Sequence, residues 1–314
     1  MSVYLLEEMT TPALDALDRA RTVLLLTVSP LETHGPHLPV GVDAFTARFF
    51  AQTIAERLVA SRPGWAAVLA PTLYLGSFTF ESTGTIPVRQ RVVRDAVADY
   101  GEALARAGFR YIFVANGHGG PGHLAALDEA AATVSRRHGV TMASFTGHLA
   151  WQFMRGRYAE KIETALGRPL TAEERQAFAD DAHGGWWETS LMLLLRPDLV
   201  DGCYRSLPPA RYSWPERVMP NYPLRSGGQG YVGHPALADP AFAKATTDVL
   251  MTEAMTIVDG LLDGRLAPSD HRSPFFQVPI FRTNFWRAAG VTAGFGAVAV
   301  GLAQWMRSRS RQAP

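Results

Sequence analysis

The chain has 314 residues, 47% of them hydrophobic and 19% charged, an ordinary globular composition with enough length to bury a sizeable core. A formal charge of +1 argues against general nucleic-acid binding, which leaves a basic patch or stripe. The single cysteine, Cys203, excludes an intrachain disulfide and a cysteine-rich zinc site, so any metal must be held by histidine and carboxylate.

Met1 to Glu8 carries acidic residues and no basic stretch before an apolar core, so no signal peptide is read and a cytoplasmic location is expected. Thr11-Pro12 caps a first helix. Val23 to Val28 is an apolar run that predicts a buried strand. A helix from about Ala44 to Val59 follows, then a short strand at Ala66 to Ala70 and a long polar loop from Thr72 to Thr85. Val88 to Ala107 is helical by period, Tyr111 to Val114 is a third strand, and a glycine-rich turn opens a helix through Leu124, Leu127, Ala131 and Val134.

Val140 to Phe145 is the fourth predicted strand. The alternation of strand and helix predicts a three-layer α/β/α sandwich with a mostly parallel sheet. Trp151 to Phe178 turns helical and more polar, His183 to Trp187 reads as a loop, and Glu188 to Leu195 reads as an apolar helix. Ser206 to Gly233 is a long ordered loop rich in Pro, Gly and Arg, and Asp239-Pro240 starts the last helix of the body, with Gly264 as its stop.

Past that helix, 267–285 reads as a linker and 286–306 as an apolar helix between Trp286 and Trp305, with a basic tail at 307–314. Ala288 to Ala303 carries no charge, and the 19 residues between Arg287 and Arg307 would span about 28 Å as a helix. Two readings stand: a membrane anchor flanked by interfacial tryptophans, or a helix packed in an oligomer through the Gly290/Gly294 step.

The chemistry concentrates at strand ends. Glu32-Thr33-His34-Gly35-Pro36-His37-Leu38-Pro39 with Asp43 follows the first strand, and Asn116-Gly117-His118-Gly119-Gly120 follows the third. Glu32 and His34, two residues apart in extended backbone, aim at one point and make half a metal site. His37 in its tight turn is expected to be structural, and His123 near a helix start to be capping or exposed.

These two motifs, followed by His183-Gly184-Gly185 running to Glu188-Thr189-Ser190-Leu191-Met192, resemble the creatininase (creatinine amidohydrolase) family. The likeness covers roughly the first 260 residues, a normal single-domain length, so 1–266 is taken as the metallohydrolase domain. The resemblance implies one or two divalent metals, zinc or manganese, with iron also suited to these donors. Glu32, His34, Asp43 and His118 fall on metal-ligand positions. His183 matches the histidine that donates a proton to the leaving nitrogen, and Ser77 matches a substrate-contacting position.

Trp186 and Trp187 are read either as a cover that stacks on a flat substrate or as a subunit-packing pair. The motifs also depart from the family. Gly120 stands where creatininase itself carries a Glu, and Trp186 where many relatives do. Glu188 is then the carboxylate left to complete a second metal site. The expected reaction is hydrolysis of a C–N bond in a small cyclic or linear amide by a metal-activated water, in a homo-oligomer. Two alternatives are a peptidase trimming a short peptide in cofactor or peptide maturation, and a membrane-attached binding or scaffold protein without turnover.

Overall fold

In the computed structural model of the chain, the described residues are 3–285 with Ala288 and Gly290. Five parallel strands form one sheet in the order β1-β3-β2-β4-β5, with β1 at Val3–Leu5, β2 at Thr22–Thr27, β3 at Ala66–Leu69, β4 at Tyr111–Ala115 and β5 at Thr141–Ala143. Every residue of the central β2 is buried. Its alternating side chains feed two cores, as a strand covered on both faces requires. Val23 and Leu25 join one cluster and Leu24 and Leu26 the other.

The first core packs under α2 (Val42–Ser61) and α10 (Pro240–Leu262), the second under α3 (Gln90–Arg106) and α4 (Pro121–His138). Short α1 (Thr11–Asp15) leads into β2, with Thr10 accepting from the Ala13 N–H as its cap. The expected three-layer α/β/α sandwich is thus present. The chain leaves β2 towards one face and β4 towards the other, so the carboxyl ends of these neighbours form the crevice where open α/β sheets place ligands.

The structure departs from the sequence reading in several places. Val3–Leu5 pairs in parallel with Ala67 to Leu69 as an edge strand, a segment too short for periodicity to reveal. The polar stretch after β5 resolves into α5 (Thr146–Met154), α6 (Ala159–Leu166) and α7 (Ala172–Asp180), and α8 (Trp186–Leu195) begins at the first of the two tryptophans. The loop from 206 to 233 holds only 3-10 turns and the single-turn α9 (Trp214–Arg217).

Residues 267–285, expected as a linker, are a strap packed on the body. The Ser273 N–H donates to Asp128 Oδ2 at 2.9 Å, Arg282 Nε to Glu129 Oε1 at 2.8 Å, and Gln90 Nε2 to the Phe281 carbonyl at 2.6 Å. A linker that satisfies its backbone on buried side chains of α4 is part of the fold. The apolar stretch 286–306 and the tail lie outside the described residues, save Ala288 and Gly290. Among the described residues, no helix is long and apolar enough to cross a membrane.

Candidate metal centre

Glu32 and His34 leave β2 on a loop stitched by the Glu32 N–H to the Val40 carbonyl at 2.8 Å. Asp43 sits in the first turn of α2, and His118 follows β4. All four are buried. The two oxygens of Asp43 face two different histidines: Oδ1 is 3.2 Å from His34 Nε2, and Oδ2 is 3.2 Å from His118 Nδ1. Glu32 Oε2 lies 3.0 Å from His118 Nδ1, and Glu188 Oε2 lies 3.6 Å from His34 Nε2. Three overlapping groups result: Glu32/Asp43/His118 and His34/Asp43/Glu188, which share Asp43, and Glu32/His34/His183.

Each imidazole is oriented from behind by a backbone carbonyl. His34 Nδ1 is 3.0 Å from the Glu32 carbonyl and His118 Nε2 is 3.1 Å from the Ser77 carbonyl. A carbonyl can only accept, so those nitrogens carry the protons of the neutral rings, and the bare nitrogens face carboxylates. This is how metal-ligating histidines are usually held. Although the pairs lie within ion-pair distance, His34 Nε2, Glu32 Oε2 and Asp43 Oδ2 make no well-directed hydrogen bond. Lone pairs turned on one another in a buried site call for a cation between them. The donor set therefore fits divalent metal, and its nitrogen and oxygen character suits zinc, manganese or iron.

The carboxylates' demand for positive charge is strong enough that, with no cation between them, the two histidines would each take a second proton. Burial would depress His34, but the carboxylates of Asp43, Glu188 and Glu32 outweigh it and lift it to about 10. Burial likewise works against His118, and Glu32 and Asp43 raise it well above its ordinary value. Asp43, despite burial, is held well below the usual carboxylate range by His34 and His118. Burial pushes Glu188 up to about 7.

Three further groups hold the ligands. Asn116 Oδ1 accepts from the His118 N–H at 3.0 Å and from the Ser29 hydroxyl at 3.1 Å, while its Nδ2 donates to the His118 carbonyl at 2.7 Å. The Phe80 N–H donates to Glu32 Oε1. Asp181 accepts from the N–H groups of Trp186 and Trp187 at 2.7 and 2.8 Å, fixing the start of α8 and with it Glu188. None of the three was singled out as a site residue from the sequence. Asn116 was visible within its motif, whereas Asp181 acts only through the fold.

The His183 ring lies against His34, centroids 4.1 Å apart and planes tilted by 30°, and its Nε2 is 2.7 Å from the Thr33 carbonyl. Burial and the neighbouring His34 bring it down to about 4, so it is neutral near pH 7. The Gly184 N–H donates to Glu188 Oε2. Gly184 has φ +56, and a Cβ there would stand 2.7 Å from the His34 carbonyl oxygen, so glycine is required on both counts. At Gly120 a Cβ would lie 2.4 Å from His118 Nε2 and 3.0 Å from the Ser77 oxygen. The 77–78 backbone fills the space a side chain would need, and the carboxylate that approaches His34 from outside the sheet is Glu188 on α8.

The remaining expectations divide. His37 is buried with Nε2 2.8 Å from Thr189 Oγ1, a structural contact. His123 is neither a cap nor exposed: it is fully buried, with Nε2 3.0 Å from Asn116 Oδ1. Ser77 meets the centre through its carbonyl, and its hydroxyl is buried without a partner. Trp186 does not cover the site. Its ring stacks on Phe242 in the core, centroids 3.8 Å apart, because consecutive helical residues point about 100° apart. Trp187 lines a cavity of about 80 Å³ whose wall also includes His118, His183 and Glu188.

Comparison with known proteins was made on this basis. The Creatininase family model, described as creatinine amidohydrolase, matches residues 7–258. Over 229 residues the chain is 31% identical to the mycofactocin precursor peptide peptidase of Mycolicibacterium smegmatis, covering 71% of this chain and 76% of that one. It is 30% identical over 222 residues to the creatinine amidohydrolase of Pseudomonas putida, covering 66% and 77%. A crystal structure of creatinine amidohydrolase (creatininase) superposes with a TM-score of 0.63 at 25% identity, covering 82% of this chain and 96% of the other. A structure described as "Creatininase Mn" gives 0.62 at 25% identity, covering 81% and 96%.

Proposed function

Because the chain belongs to the creatininase family of hydrolases, we propose that it is a metal-dependent amidohydrolase cleaving the C–N bond of a small cyclic or linear amide. The observation that carries this reading is the pair of triads sharing Asp43, every member buried except the partly exposed Glu188. Glu32, Asp43 and His118 would hold one divalent ion, and His34, Asp43 and Glu188 a second, with zinc or manganese favoured by the donors. Such a pair supplies a water acidified to near neutral pH and polarisation of the amide carbonyl.

The chain's own residues do the rest. The Glu32 and Ser77 carbonyls keep the histidine tautomers and aim the rings. His183 is neutral near pH 7 and packed against the centre, and with Nε2–H held by Thr33 its bare Nδ1 would take a proton from the attacking water and hand it to the leaving amine as the C–N bond breaks. Trp187 in the cavity wall and the unpartnered Ser77 hydroxyl are the expected substrate contacts. A short peptide is the second reading of the substrate, favoured by the 31% identity to a peptide peptidase.

The test is metal content per subunit by elemental analysis, for the full chain and Glu188→Ala, alongside hydrolysis of an amide and peptide panel. Two equivalents falling to one, with hydrolysis in the full chain, is the expected result. No bound metal, or metal without hydrolysis of any amide, would overturn the proposal. Assembly into a homo-oligomer and a cytoplasmic location belong to the same proposal, and sedimentation and cell fractionation check them. Membrane contact through 288–303 is tested separately: a chain ending at residue 287 should leave the membrane fraction.

A further inference from the structure

The cavity beside the metal centre has two unlike ends. One is the centre itself, through His118, His183 and Glu188, and the other is formed by Phe50, Leu149, Phe153, Met154, Leu250 and Met251 from α2, α5 and α10. These residues share no sequence motif. Met154 is 45% exposed and marks the rim.

Polar capacity within the cavity is nearly all used. Asp181 spends both oxygens on the α8 backbone, and Asn116 is committed to His118 and Ser29. Two wall residues keep unpaired polar atoms: Thr146 Oγ1 and Trp187 Nε1 are buried and have no partner. Leaving a hydroxyl and an indole N–H unpaired is costly, and an acceptor on a bound ligand is a partner either could take. The residues lining the cavity include no lysine or arginine, and both of its carboxylates are already engaged. The six side chains of the apolar end carry no charge, so a ligand group of either sign seated among them would have no counter-charge beside it.

We infer that this apolar end binds an uncharged aliphatic or aromatic group flanking the scissile amide, with a neutral carbonyl taking hydrogen bonds from Thr146 and Trp187. The pocket thereby selects amides with an apolar neighbour over those with a charged one. The inference rests on the amidohydrolase reading for turnover, though not for binding. A missing apolar contact in such a pocket is worth about 10–200-fold, and a charge placed there without a partner costs at least as much.

Binding is measured by calorimetry on the zinc-loaded full chain near neutral pH, with N-acetyl-leucinamide, N-acetyl-lysinamide and N-acetyl-aspartamide. The leucine probe should bind at least about tenfold more tightly than either charged one. Thr146→Val should weaken it about two- to tenfold. Met154→Lys, at the exposed rim, should turn the preference towards the aspartate probe, a gain that an unfolded variant cannot show. Equal binding of the three probes, no binding of any, or an order unchanged by both substitutions would overturn the inference. Leucine-probe binding without cleavage of any amide would instead count against the hydrolase reading and leave the pocket standing, and equal binding with cleavage would do the reverse.

Discussion

Glu32, His34 and His118 are aimed by backbone groups of loops that leave the sheet at β2 and β4, whereas Glu188 and His183 reach the same centre from a segment outside the sheet. The first group shares its hydrogen bonds with the core through Asn116, Ser29 and the Glu32–Val40 contact. The second is tied down by the His183–Val232 bridge, the Thr33 carbonyl on His183, the His37–Thr189 contact and the two N–H groups that Asp181 accepts at the start of α8, but Glu188 is the more exposed carboxylate, 13% against 1% or less for Glu32 and Asp43. Parts of a protein that are less buried open at lower free energy. The strand-held triad should thus keep its metal under conditions that empty the helix-held one.

Asp43 belongs to both triads, so Asp43→Asn is the largest perturbation available. Metal content should fall from two equivalents towards none, and hydrolysis should drop well beyond the about 10–100-fold that loss of an outer-shell partner costs. A variant retaining one tightly held ion would show that the triads do not share this residue.

A smaller effect separates the halves. Asn offers one carbonyl oxygen where Asp offers two, so Asp181→Asn loses one of the N–H groups that fix α8. Affinity for the second equivalent should weaken by about 10–100-fold while the first is unchanged. Asn116→Ala, which frees His118, should do the opposite. Competition titrations with a chelator measure both, and equal losses at both sites in either variant would break the distinction.

The smallest effect is expected far from either half. Asp128 on α4 is a buried carboxyl that burial raises well above its ordinary range, although the Ser273 N–H and two arginines pull it down. The folded protein holds that proton more tightly than the unfolded chain. The associated stability is full below the ordinary value of about 3.9 and is lost as pH rises through the raised folded value. Asp128→Asn keeps an acceptor for Ser273 and removes the ionisation. Melting curves near pH 8 should gain roughly 1–2 kcal/mol and those near pH 4 change little, with metal content unmoved in both.

Much of the centre was legible because its ligands sit in short motifs at strand ends. Glu32, His34, Asp43 and His118 follow apolar runs that could only be buried strands, and glycine and proline marked the turns. Glu188 was reachable because Gly120 and Trp186 left it as the carboxylate of the third motif. Trp186 and Trp187 could not be told apart from sequence, since which face of α8 meets Phe242 and which meets the cavity depends on α10. His123 was misplaced for a related reason. A histidine at a helix start is usually wet, but here the strap and the 77–78 backbone close over α4, and Asn116 takes its Nε2.

Local pattern therefore determined the α/β/α class, the ligand types and the absence of cysteine chemistry, because periodicity and turn residues act over a few positions of chain. The tertiary structure decided how the candidate metal-holding side chains group around Asp43, which tryptophan meets the cavity, and that an apolar pocket stands beside the centre. Those features depend on distances between segments far apart in the chain, such as Phe50, Phe153 and Leu250. Such distances are set by how the helices pack across the sheet, and no local property of the chain encodes them.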